Sequence, residues 1–164
     1  MAIPQIVLFY NKLGVVAVTV GSFNELTIQE SVMTYFDDNF SLTGKTEYDN
    51  EIFDIDSVTE AVQIDIDPFD DAVVRKLNKR ELDIIVRLKV WVKRSTNNYR
   101  MFEILTELDI LFNRVTIAVR DYDVSGDPRV GWVRFDESDM KDQSPSNTNI
   151  DCYLLTFAGH AQEE

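Results

Sequence analysis

Between Leu82 and Phe112 the apolar residues change period once, and that change constrains the fold more than any other feature of the chain. From Leu82 to Val92 the even positions Leu82, Ile84, Val86, Leu88, Val90 and Val92 are all apolar, while the odd ones are mostly Asp83, Arg87, Lys89, Trp91 and Lys93. Alternation with period two predicts a half-buried strand with one wet or contacted face. After Arg94-Ser95-Thr96-Asn97 the spacing widens: Met101, Ile104, Leu105, Leu108, Leu111 and Phe112 recur at three- and four-residue intervals, the stripe of an amphipathic helix over Asn98 to Phe112. Burying those side chains contributes roughly 10 kcal/mol before conformational entropy is subtracted. A strand–loop–helix unit of this kind anchors a core, and by itself it specifies no chemistry.

The remaining segments are read around it. Ile6 to Tyr10 and Val15 to Val20, joined through Asn11-Lys12-Leu13-Gly14, suggest a hairpin because β-branched residues dominate and Gly14 can supply a positive φ; a helix is the alternative. Ile28, Val32, Tyr35 and Phe36 have helical spacing, and Thr27-Ile28-Gln29-Glu30 has the form of a capping box, predicting a helix over about 25–38. Ala61 to Asp67 alternates as a strand. Asp67-Pro68 then reads as an N-cap and first turn of a short helix through Phe69, Val73 and Leu77, or else Val73 to Leu77 forms a hairpin arm turning at Asn78-Lys79-Arg80. Asn113 is placed as a left-handed helix terminator, followed by a strand through Val115, Ile117 and Val119, a turn at Ser125-Gly126-Asp127-Pro128, and a strand from Val130 to Phe135.

Residues 136–147 have no apolar period and read as a long mobile loop carrying Asp136, Glu137, Asp139, Lys141 and Asp142. Ile150 to Phe157 is apolar on both faces, as a strand buried between layers would be, and 159–164 read as an unpacked tail. The expectation is an α+β fold: an antiparallel or mixed sheet of about five or more strands packed by one or two main helices. Its 164 residues suit a single domain with a core over about 25–158.

Charge narrows the function classes. The net charge of −13 argues against a surface that grips phosphates, so specific DNA binding is not expected. The charge is also uneven: residues 37–71 hold twelve acidic side chains against one lysine, and residues 72–120 hold eleven basic against five acidic. Two such segments either meet across a subunit contact or form two solvated faces of a monomer. Cys152 is the one cysteine, which suits a reducing compartment and a buried, inert thiol. The beginning of the chain does not resemble a secretory signal, and the longest apolar stretch, Val15 to Val20, is far short of the roughly 20 residues a membrane-spanning helix needs.

Several constellations have residue types that could carry chemistry. Asp121-Tyr122-Asp123-Val124-Ser125-Gly126 matches the opening of a calcium loop, but its twelfth position is Trp132 where a bidentate Glu is required, and Pro128 intervenes; a hairpin turn is the simpler reading. Asp54 with Asp56, and Asp65 with Asp67, place carboxylate pairs on one strand face as two-metal hydrolases do, without a histidine or third motif to complete a site. Glu81-Leu82-Asp83 before Arg87-Leu88-Lys89 loosely approaches a nuclease carboxylate–lysine pattern and breaks at Arg87, where that pattern needs an acid. His160 is the one histidine and falls in the expected tail, which leaves no general base. No catalytic residue, metal or cofactor is expected, and the chain reads as a non-enzyme.

The order of elements, together with Leu88-Lys89-Val90-Trp91-Val92-Lys93, the tyrosine-led helix Tyr99-Arg100-Met101-Phe102-Glu103-Ile104-Leu105-Thr106-Glu107-Leu108 and the closing Asp151-Cys152-Tyr153-Leu154-Leu155-Thr156-Phe157, resembles the tail terminator proteins of long-tailed bacteriophages over about residues 25–158. The resemblance implies a virion protein that forms a six-fold ring with itself. Such a ring caps the tail-tube protein, stops its polymerisation, and offers its other face to the head-completion or connector protein. DNA passes through without specific binding, and no membrane is involved. Within that frame Arg87, Lys89, Trp91 and Lys93 are candidates for the subunit contact, with packing under the second helix as the alternative for Trp91. Asp54, Asp56, Asp65 and Asp67 are candidates for an acidic lumen, and 136–147 for a docking loop.

Overall fold

The computed structural model describes residues 6–11, 14–19, 21–41, 46–48, 59–69, 79–94, 99–146 and 148–164. Its elements run β1 (Ile6–Asn11), β2 (Gly14–Thr19), α1 (Glu25–Asn39), β3 (Thr46–Tyr48), β4 (Glu60–Phe69), β5 (Glu81–Lys93), α2 (Tyr99–Phe112), β6 (Thr116–Arg120), β7 (Arg129–Asp142) and β8 (Ile150–Glu163). The expected N-terminal hairpin is present as β1 and β2, paired antiparallel from Ile6↔Thr19 to Asn11↔Gly14. The other six strands form one sheet in the order β3-β4-β5-β8-β7-β6, antiparallel except for the short parallel edge pairing of β3 on β4. The fold is α+β, as expected.

The long strand β5 lies at the middle of the sheet, between β4 and β8, and its even side chains from Leu82 to Val92 are almost wholly buried. Against them pack Ile104 and Leu108 of α2, both fully buried, in one cluster with Ile28, Val32 and Phe36 of α1. Helix α2 touches β5, β7 and β8, while α1 touches both β4 and β6, so the sheet curls around the helix layer. Phe112, at the end of α2, joins the layers. Its ring lies 5.4 Å edge-on to Phe135 of β7, 5.3 Å from Phe157 of β8, and 6.3 Å from Phe36 of α1.

Local signals near the helix ends were displaced by a few residues. The capping box of α1 is Asn24 with Thr27, and does not involve the expected Thr27 and Glu30: the Asn24 side chain accepts from the Thr27 amide and the Thr27 hydroxyl accepts from the Asn24 amide, both at 3.0 Å. A hydroxyl serves at the third position as well as a carboxylate, so the cap lies three residues earlier than the expected pair, while the helix itself, Glu25–Asn39, starts where the spacing predicted. After α2 the left-handed residue is Arg114, at φ 57°, and not Asn113; Asn113 instead donates its side-chain amide to Asp109.

Three expectations fail at strand ends. Asp67 and Pro68 do not open a helix, because β4 continues through Phe69 with Asp67↔Ile85 and Pro68↔Ile84 in register; the competing arm at Val73 to Leu77 lies outside the described residues. The loop expected at 136–147 is mostly strand: β7 runs on to Asp142 against β8, leaving only the connection around Ser144 and Asn149 outside it. The tail expected at 159–164 is also strand, with Gly159 and Ala161 buried and paired to Ile84 and Leu82. Ladder hydrogen bonds use the backbone, so a strand whose side chains are polar, or as small as the buried Gly159 and Ala161, shows no apolar period.

Candidate interaction surfaces

The helices lie on one side of the sheet, and no described helix covers the other. Register places the odd residues of β5 on that open side in cross-strand rows. Ala61, Trp91 and Cys152 make one; Gln63, Lys89, Leu154 and Lys141 a second; Asp65, Arg87, Thr156 and Asp139 a third; Asp83, His160 and Arg134 lie further along. Arg87, Lys89, Trp91 and Lys93 therefore share the open face. The alternative for Trp91, packing under the second helix, is excluded by its odd position on β5: the α2 side belongs to Val90 and Val92.

Trp91 is half-buried, and its two cross-strand neighbours Ala61 and Cys152 are fully buried. The Lys89 ammonium stands 4.4 Å from the centre of the Trp91 ring, a cation–π contact that fixes both side chains. Burial pushes the Cys152 thiol up to about 11, with the nearby Lys89 charge partly offsetting it, so this sulfur is neither a nucleophile nor a ready metal ligand. That agrees with the inert role read from the sequence, although Cys152 is on the open face and covered from there.

The residues proposed for a lumen are less separate from the contact residues than expected. Asp54 and Asp56 lie outside the described residues. Asp65 and Asp67 face the same side as Arg87 and share its guanidinium, at 2.9 and 3.5 Å. Hydrogen bonding to Asp65 raises the pKa of that guanidinium. All three are about a third or more exposed, so the pairing contributes at most about 1 kcal/mol of stability, and the two acids carry only about half the repulsion a free pair would offer to phosphate.

The residues assigned to a docking loop are carried by the β7–β8 hairpin. Asp136 and Glu137 fall where the β7–β8 register shifts between Phe135 and Ser138, and Glu137 pairs with Arg114. Ser138 donates to Asp109 of α2 at 2.6 Å, tying the hairpin to the helix layer. Beyond it Asp139 and Lys141 project onto the open face, while the Asp142 carboxylate is held below the usual carboxylate range by hydrogen bonding from the Ser144 side chain and then from the Ser144 amide, which donates to it at 2.8 Å.

Other polar clusters are structural. His160, far from fraying, is held in β8 with Nδ1 3.0 Å from Asp83 and Nε2 3.8 Å from Glu81. Both ring nitrogens meet carboxylates, so neither is aimed at a nucleophile. Asp121, the first residue of the calcium-like stretch, is buried and accepts from the amides of Ser22 at 2.6 Å and Asp123 at 3.1 Å, clasping the segment before α1 to the turn after β6. Among the described residues no group of three or more His, Cys, Asp or Glu side chains is disposed to hold a metal ion, and no helix is long and apolar enough to cross a membrane.

A second surface was not anticipated. On α2, opposite the core stripe, Tyr99, Phe102 and Ile110 are 76%, 56% and 73% exposed, and with Glu103, Thr106 and Glu107 they line a shallow groove of about 760 Å³. The signal was present in the tyrosine-led helix, which is apolar on more of its circumference than one buried face requires. The chain matches no protein-family model, and no curated protein is significantly similar to it in sequence.

Proposed function

We propose that the protein is a structural component of a bacteriophage tail, a terminator that joins copies of itself into a ring, caps the tail tube and presents a face for head attachment. The observation that carries this reading is the Lys89–Leu154–Lys141 row beside Trp91: a basic, partly apolar strip on the open face of a sheet, in a molecule of net charge −13. An acidic protein that leaves such a strip uncovered has a built contact for something acidic, while its remaining surface stays self-repelling. The element order that resembles tail terminators supports placing that contact in a ring.

In a phage that carries this gene, deleting it should yield tails of uncontrolled length, and supplying the protein should restore uniform tails joined to heads. Tails of normal length without it would overturn the reading. Electron microscopy of the purified chain separates the neighbouring possibility: closed rings fit a terminator, whereas extended tubes would identify a tail-tube subunit.

A further inference from the structure

The open face of the sheet and the outer face of α2 lie on opposite sides of the molecule and carry complementary chemistry. The first offers Leu154 between Lys89 and Lys141, with Trp91 in the next row, and neither lysine meets a carboxylate among the described residues. The second offers Phe102, Thr106 and Ile110 flanked by Glu103 and Glu107. Of the nearby cations, Arg100 is already held by Glu60 at 2.7 Å and reaches Glu103 at 3.2 Å, leaving the Glu107 charge uncompensated among the described residues.

We infer that the α2 stripe of one copy seats on the Lys89–Leu154–Lys141 row of the next. Ile110 and Phe102 then cover Leu154 and Trp91, and the α2 glutamates face the two lysines. A second copy is the occupant favoured by the molecule itself, because each surface is the chemical complement of the other. Helix on sheet is also the packing the fold already uses on its inner side. The two surfaces differ, so the contact is heterologous and propagates from copy to copy until it closes. The inference rests on the assembly reading above and names the surfaces that meet.

Sedimentation velocity on the full-length chain at low and high salt tests it, with Ile110→Asp, Glu107→Lys, Lys141→Glu and the double variant Glu107→Lys/Lys141→Glu, each first checked for native circular dichroism. The expected result is self-association that weakens as salt rises, a loss of roughly tenfold or more for Ile110→Asp and for each single charge reversal, and recovery in the double variant. Association of Ile110→Asp equal to wild type, a double variant no better than the single ones, or a wild-type chain monomeric at every concentration would each overturn the pairing. Tail length in the phage lacking the gene is scored separately. Overlong tails with an unaffected Ile110→Asp ring reject only the pairing, and normal tails with a working charge swap reject only the terminator reading.

Discussion

The two faces of β5 are built from alternate residues of one strand and have opposite fates. Leu82, Ile84, Val86, Leu88 and Val90 are at most 1% exposed beneath two helices, while Arg87, Lys89 and Trp91 keep contact with solvent on a face with no described helix over it. The inner face is closed by residues of both helices and four other strands. On the outer face Arg87 pairs with Asp65 of β4, Asp83 meets His160 of β8, and Lys89 stands over the Trp91 ring. The contrast teaches that stability and association are divided by parity along a single element: even positions answer to the core, and odd positions remain available to a partner.

Substitutions on the inner face should show the largest effect. Leu88→Ala is expected to lower the unfolding free energy by about 2–5 kcal/mol in urea titration, since the fully buried site cannot collapse around the lost atoms. A loss under 1 kcal/mol would mean the helix layer is looser than described. Next is Gly131→Ala on β7. A Cβ there would stand 2.4 Å from the Gln162 carbonyl oxygen and 2.7 Å from the Phe23 ring, so a loss of about 1–3 kcal/mol is expected in the same titration.

The outer face should respond differently. Trp91→Ala is expected to cost only about 1 kcal/mol while weakening self-association and speeding alkylation of native Cys152 by roughly tenfold, because the thiol is shielded from that side. Loss of native circular dichroism in this variant would place Trp91 with the core and dissolve the distinction between the faces.

The smallest expected effect is at Glu30 of α1. Burial, then the charges of Asp123 and Asp121, raise its pKa above the ordinary 4.5. The folded state therefore binds this proton more tightly than the unfolded chain does, and ionised Glu30 opposes folding. Glu30→Gln should raise Tm by roughly a degree or less at neutral pH, with the gain shrinking as pH falls through the raised value and vanishing below 4.5. A gain that persists in acid would assign the effect to packing instead of charge.

Much of the inner face was legible because burial leaves a period. The even residues of β5, the stripe from Met101 to Phe112 and the strand through Val62, Ile64 and Ile66 were all read in place. The reading failed where partners are distant in sequence or where backbone alone makes the structure. Nothing near Asp136 to Asp142 announces a strand, since its ladder is supplied by residues 153–157 of β8. His160 looked unoriented because Asp83 is 77 residues away, and Asp65 and Arg87 looked like two separate functions until the β4–β5 register put them side by side. The apolar stripe on the outside of α2 was visible as letters but not as a surface.

What the sequence determined by itself is therefore the fold class, the long alternating strand, the amphipathic helix that packs on it and the overall acidic charge, because each depends on local period or on summed composition. Only the tertiary structure decided that Trp91 faces away from the helices, that a leucine stands between two lysines on three different strands, and that a complementary helix face lies on the opposite side. Those facts depend on strand order and register, which are set by where distant backbones meet, and no local pattern carries them.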